Sequence, residues 1–146
     1  MIKKEIIMDT QLQELIDTAL SMRKMSYTPY SHFNVGAALL GADGRIYTGC
    51  NIENASYTPT NCAERTAFFK AVSEGMREFK AIAIAGGKED AKDLDYCPPC
   101  GVCRQVMSEF CKDDFKIILV KSSTEYKEYT LTDLVPERFT PDNLLG

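Results

Sequence analysis

The sequence predicts an α/β domain, a mixed five-stranded sheet with helices on both faces, and three observations carry that prediction. Apolar residues recur at helical spacing near the N-terminus. Two apolar, β-branched stretches are joined by hairpin chemistry. Beyond them, strand-like runs alternate with helix-like segments.

Taken in order, Leu12, Leu15, Ile16, Ala19, Leu20 and Met22 define a first helix over about residues 9–25, with Asp9 as its N-cap. Residues 33–40 and 45–50 read as strands, and Gly41-Ala42-Asp43-Gly44 between them makes the pair an antiparallel hairpin. A second helix fits residues 62–74, with Asn61 as N-cap, Glu64 at the third helical position and Gly75 as the stop. Residues 80–85 form a buried strand. Gly86-Gly87-Lys88 lacks the upstream glycine and following Ser/Thr of a phosphate loop and reads as a turn. After Pro98-Pro99 a third helix covers residues 100–111, then come strands at 116–120 and about 127–130 and a helical turn at 131–134. No linker, repeat or low-complexity segment divides the chain, so residues 1–146 read as a single domain.

Composition bounds the function. The chain has 146 residues, 45% of them hydrophobic and 26% charged, the balance of a soluble globular domain. No apolar run approaches the roughly 20 residues of a membrane span, and at Met1–Asp9 lysines and Glu5 interrupt the pattern of a signal peptide. A cytoplasmic protein is expected. The net charge of -4, with basic residues scattered, argues against nucleic acid and for a small substrate. A lone histidine, His32, leaves little room for histidine-based catalysis or metal binding.

Six cysteines, at positions 50, 62, 97, 100, 103 and 111, would make three disulfides in a secreted chain but read as metal or catalytic thiols in a cytosolic one. Cys62-Ala63-Glu64 and Pro99-Cys100-Gly101-Val102-Cys103 carry the chemistry. Thiolates are soft ligands that favour zinc, and three of them leave the fourth tetrahedral position open to water, the layout of a catalytic site. Cys62 at the start of one helix and Cys100 and Cys103 at the start of another lie where unpaired backbone N–H groups and the helix dipole favour thiolate. Glu64, two residues from a ligand, is placed to move the protons of that water. The reaction this suggests is hydrolysis at a carbon bearing an amino group. Other readings stay open on spacing alone: Glu64 as the capping-box partner of Asn61, the CxxC as a redox dithiol, and Cys97-x-x-Cys100-x-x-Cys103 as an iron–sulfur or four-thiolate zinc run. Cys50 and Cys111 read as buried small apolar residues.

Five blocks in order carry a family resemblance: Tyr30-Ser31-His32-Phe33-x-Val35-Gly36-Ala37-Ala38-Leu39-Leu40, Gly49-Cys50-Asn51-Ile52-Glu53-Asn54-Ala55, Cys62-Ala63-Glu64-Arg65-Thr66-Ala67, Lys70-Ala71-Val72-Ser73-Glu74-Gly75, and Pro99-Cys100-Gly101-Val102-Cys103-Arg104-Gln105. Over about residues 27–143 the chain resembles the cytidine deaminases of the small, homotetrameric, three-cysteine zinc type. The resemblance implies a three-layer α-β-α fold and one Zn²⁺ per subunit held by Cys62, Cys100 and Cys103. It further implies Glu64 as the acid/base that turns cytidine and deoxycytidine into the uridines with release of ammonia, a pyrimidine salvage reaction. Arg65 would hydrogen-bond the ligand sulfurs, and Asn51 and Glu53 would grip the ribose 3′-hydroxyl. Phe33 and Ala63 would contact the pyrimidine, while Tyr57 and Phe139 would serve a site shared between subunits of a homotetramer. Cys97-Pro98-Pro99 departs from the serine that relatives commonly carry before Pro-Cys and adds a thiol near the metal. Residues 57–61 also differ from common family sequences. A deaminase for another aminopyrimidine, such as blasticidin S or a nucleotide, and a nonenzymatic zinc module using Cys97 as fourth ligand are the rival readings.

Overall fold

The computed structural model describes residues 9–146. The sequence reading of residues 1–8, including the lack of a signal-peptide pattern, lies outside the described residues. Element order is α1 (Asp9–Met22), β1 (Phe33–Gly41), β2 (Ile46–Cys50), α2 (Ala63–Ser73), β3 (Phe79–Lys88), α3 (Gly101–Phe110), β4 (Lys116–Val120), β5 (Tyr126–Thr130), α4 (Leu131–Leu134) and α5 (Pro141–Leu145). A 3₁₀ turn over Arg23–Met25 completes the first predicted helix. The sheet runs β2-β1-β3-β4-β5. Only β3 and β4 are parallel within it; the other pairs are antiparallel.

Alternation along the strands separates two cores. Ala37 and Leu39 of β1, Ile82 and Ile84 of β3, and Ile117 and Leu119 of β4 meet Ala63, Ala67, Phe68 and Ala71 of α2 and Met107 of α3 on one face. Ala38, Leu40, Ala81, Ala83, Ala85, Ile118 and Val120 meet Leu15, Ile16 and Ala19 of α1 on the other. The three-layer α-β-α arrangement thus follows from a period of two in strands that are buried on both sides. Two glycines let the helices approach. A Cβ on Gly36 would lie 2.0 Å from the Ala19 carbonyl oxygen, and one on Gly49 would lie 2.2 Å from that of Ala63.

Three local expectations need correction. Cys62, not Asn61, is the N-cap of α2, and Glu64 is its second residue, so no capping box joins Asn61 to Glu64. Asn61 is held elsewhere: its backbone forms a two-way bridge with Ile52 (2.9 and 3.0 Å), and its side-chain amide donates to Thr66 Oγ1 at 3.2 Å. Gly86-Gly87-Lys88 is not a turn but the end of β3, paired with Val35, Asn34 and Phe33. The small residues are needed there because Cys97 and Leu94 pack directly over the two glycines. Asp9 lies inside α1 as described rather than capping it. Helix α5, introduced by Pro141 after a Thr140/Asn143 capping box, is an element beyond those expected from the sequence.

Because the Gly49 contact is with helix backbone, which cannot rotate away, Gly49→Ala should lower stability by about 1–3 kcal/mol. Urea unfolding should show a lower midpoint at unchanged m-value.

Candidate metal centre

Topology gathers the predicted residues at one end of the sheet. Each of α2 and α3 runs into the strand that follows it, β3 and β4 respectively, so both helix N-termini reach the C-terminal edge of the parallel pair. Open α/β sheets bind ligands at such an edge. Strand β1 runs antiparallel to β3 and therefore begins at that edge, with Phe33 opposite Lys88. Asn51 follows β2 at the same end, where Cys50 pairs with Gly36.

Cys62 and Cys100 are the N-caps of α2 and α3, both extended in backbone and neither capping its helix through a side-chain hydrogen bond. Their thiols turn to one another instead. Cys62 Sγ lies 3.8 Å from Cys100 Sγ, Cys100 Sγ lies 3.5 Å from Cys103 Sγ, and all three sulfurs fall within 4.8 Å of each other. Tetrahedral zinc with Zn–S near 2.3 Å calls for sulfurs about 3.8 Å apart, so the donor set fits that ion. Among the described residues this is the one group of three or more potential ligands so assembled.

Charge at the site is prepared by its neighbours. Hydrogen bonding from Cys103, and then from Arg65 and Cys100, holds the Cys62 thiol at about 5 despite burial. Interaction with Cys62, reinforced by burial, pushes Cys103 well above the usual thiol range. Arg65 donates to Cys62 Sγ at 3.3 Å, and its buried Nε has no partner. That spare donor suits a set of thiolates carrying more negative charge. Glu64 is 5% exposed, and burial first, with the Cys62 charge adding, raises its carboxyl to about 7.

Cys97 lies outside the ligand group. Its thiol rests over Gly86, 2.8 Å from where a Cβ would stand, and burial followed by the charges of Glu64 and Cys62 pushes it up to about 11. It packs in the wall of the site, and the ligand group that the geometry assembles is the three-thiol one. Cys50 is buried as expected, while Cys111, the C-cap of α3, is half-buried.

The remaining predicted residues divide. Asn51 braces the start of β1: its Oδ1 accepts from the Val35 N–H at 2.9 Å and its Nδ2 donates to the Phe33 carbonyl at 2.7 Å. Glu53 accepts from the N–H groups of Tyr30 (3.0 Å) and Ser31 (3.1 Å) and from the Ser31 hydroxyl. Both side chains therefore reach the same segment, residues 30–35. Phe33 is half-buried there, and Ala63 is buried at the first position of α2. Tyr57 is 73% exposed, adopts a left-handed φ of 61° and packs edge-on against Tyr30. Phe139 is also exposed, its carbonyl accepting from Gln105 Nε2 at 2.9 Å. Arg104 enters the sequence reading only as part of the Pro99–Gln105 block, with no role of its own; in the fold it reaches the carbonyls of Pro99 and Leu134.

A family model described as the cytidine and deoxycytidylate deaminase zinc-binding region matches residues 9–119. A cytidine deaminase of Halalkalibacterium halodurans is 50% identical over 137 residues, covering 94% of this chain and 98% of its own. One from Sporosarcina psychrophila is 47% identical over 133 residues, covering 91% and 94%. The crystal structure of cytidine deaminase from Burkholderia pseudomallei aligns with a TM-score of 0.78 at 44% identity, over 86% of this chain and 97% of that one.

Replacing Cys103 by alanine should abolish stoichiometric zinc in the purified protein, while Cys97→Ala should keep it. Metal analysis of the folded variants reads both, and loss of zinc from the Cys97 variant would contradict a three-cysteine site.

Proposed function

The chain belongs to the cytidine and deoxycytidylate deaminase family, a zinc-binding family, and we propose on that premise that it hydrolyses cytidine and 2′-deoxycytidine to uridine and 2′-deoxyuridine with release of ammonia. The observation that carries this reading is the buried Glu64 carboxyl, two residues from Cys62 and beside three converged thiols.

Cys62, Cys100 and Cys103 would hold zinc, which when bound would supply the Lewis acidity that makes water nucleophilic near neutral pH. Glu64 does the proton work. Its carboxylate takes a proton from the attacking water and passes it to pyrimidine N3 as the oxygen joins C4; it then takes the second proton from the new C4 hydroxyl and delivers it to the amino group, which leaves as ammonia as the C4 carbonyl forms. A carboxyl raised by burial toward neutrality can both accept and return a proton under the same conditions. Arg65 holds Cys62 in place and offsets the negative charge of the thiolates.

Asn51 and Glu53 are assigned to the ribose 3′-hydroxyl. Their hydrogen bonds to the backbone fix their aim, and each retains capacity: one amide proton on Asn51 and unused lone pairs on Glu53. Phe33 and Ala63 flank the base. This pair of ribose contacts favours a nucleoside over blasticidin S. A role in pyrimidine salvage in the cytoplasm follows from such a substrate, and no helix among the described residues is long and apolar enough to cross a membrane. Assembly into a homotetramer is supported by the apolar side chains left exposed around residues 25–57, Met25 (68%), Tyr27 (57%) and Tyr57 (73%) among them, and by Phe139. Tyr57 and Phe139 are assigned to sites completed by neighbouring subunits.

Zinc-loaded protein should form uridine from cytidine and act far less on blasticidin S or a nucleotide. Glu64→Ala should retain its zinc and lose activity by about 10²–10⁴-fold. Turnover undiminished in that variant would remove Glu64 from the mechanism. Sedimentation should give a tetramer, and a fully active monomer would overturn the shared site.

A further inference from the structure

Helix α3 and its N-cap carry two of the three ligands, Cys103 and Cys100, and the side chain that follows them does something the chemistry does not require. Arg104 Nε donates to the carbonyl of Pro99 at 2.8 Å, one residue before Cys100, and its Nη1 donates to the carbonyl of Leu134 at 2.9 Å, the last residue of α4. One rigid guanidinium thus ties the loop entering the metal centre to the segment leaving α4. Its neighbour Gln105 holds the same segment further on, through the Phe139 carbonyl.

The position of this fork matters because of what surrounds it. Pro99 is buried, and its carbonyl lies outside the hydrogen-bond ladder of α3, whose N-cap is Cys100. A buried carbonyl without a partner is costly, so the Arg104 hydrogen bond stabilises the loop in this conformation. On the other side, Leu134 precedes residues 135–139, a stretch without helix or strand that leads to Phe139.

We propose that Arg104 is a positioning residue that couples zinc binding to the order of the C-terminal segment, residues 134–146. Zinc fixes Cys100, Cys100 fixes the Pro99 carbonyl, and Arg104 carries that constraint to Leu134. By linkage the effect is reciprocal: whatever orders the segment tightens the metal site to the same degree. The inference rests on zinc ligation by Cys62, Cys100 and Cys103 and not on the identity of the substrate, so it stands or falls separately from the deaminase reading.

The test compares zinc-loaded and zinc-stripped full-length protein. Release of zinc to a chromophoric chelator should be about 10- to 100-fold faster in Arg104→Ala than in the parent, the usual cost of losing a group that orients a ligand. Hydrogen exchange over residues 134–146 should rise about tenfold or more when the parent is stripped of zinc, and should already be fast in zinc-loaded Arg104→Ala. Ser108→Ala removes a 2.8 Å hydrogen bond to the Arg104 backbone carbonyl on the same helix and leaves the guanidinium untouched. It should release zinc at the parent rate. If Arg104→Ala does not fold, Arg104→Lys carries the same comparison, because an ammonium keeps the charge without the planar fork. Parental zinc release in a folded Arg104 variant, equal acceleration by Ser108→Ala, or exchange in residues 134–146 indifferent to zinc would each overturn the proposal.

Discussion

Bringing three thiols within 4.8 Å of one another is electrostatically unfavourable once they ionise, and the fold is arranged around tolerating it. Two helices begin at the point of convergence, with Cys62 and Cys100 as their N-caps, so the positive ends of both helix dipoles lie beside the sulfurs. Arg65 adds a full positive charge at 3.3 Å from Cys62 Sγ. Interaction between Cys62 and Cys103 holds the first thiol down and pushes the second up. A divalent cation resolves the conflict by neutralising the thiolates, which is why donor geometry and donor chemistry point to the same ion.

The sheet supplies the meeting place. Parallel pairing of β3 and β4 forces a crossover through α3, and antiparallel pairing of β1 with β3 returns the start of β1 to the same edge. The ligands Cys62, Cys100 and Cys103 and the proposed substrate residues Phe33, Asn51 and Glu53 therefore come from separate segments of the chain yet share one rim. Glycines at positions 36 and 49 set how closely the flanking helices lie on the sheet. The position of Cys62 is in this sense a consequence of packing at Gly49.

Most of this architecture was legible because local signals agreed with the global fold. Hairpin residues 41–44, the helical spacing in residues 12–22 and the β-branched run at 116–120 each called for the element that formed. The misses were places where tertiary contact outweighed local chemistry. Gly86 and Gly87 carry turn composition but extend β3, since they pair with β1 and leave room for Cys97 and Leu94. Asn61 has cap chemistry, yet its bridge to Ile52 leaves Cys62 to cap α2. At the site, cysteine spacing pointed to the three thiols that converge in the fold, whereas the tie made by Arg104 left no local signal: its partners, Pro99 and Leu134, are 35 residues apart and become neighbours only in the fold.

X-ray absorption at the zinc edge of the purified protein tests the central claim most directly. A catalytic three-thiolate centre predicts three sulfur neighbours at about 2.3 Å and one oxygen or nitrogen neighbour completing the tetrahedron. Four sulfur neighbours would show a closed structural site that recruits Cys97, and would contradict the account.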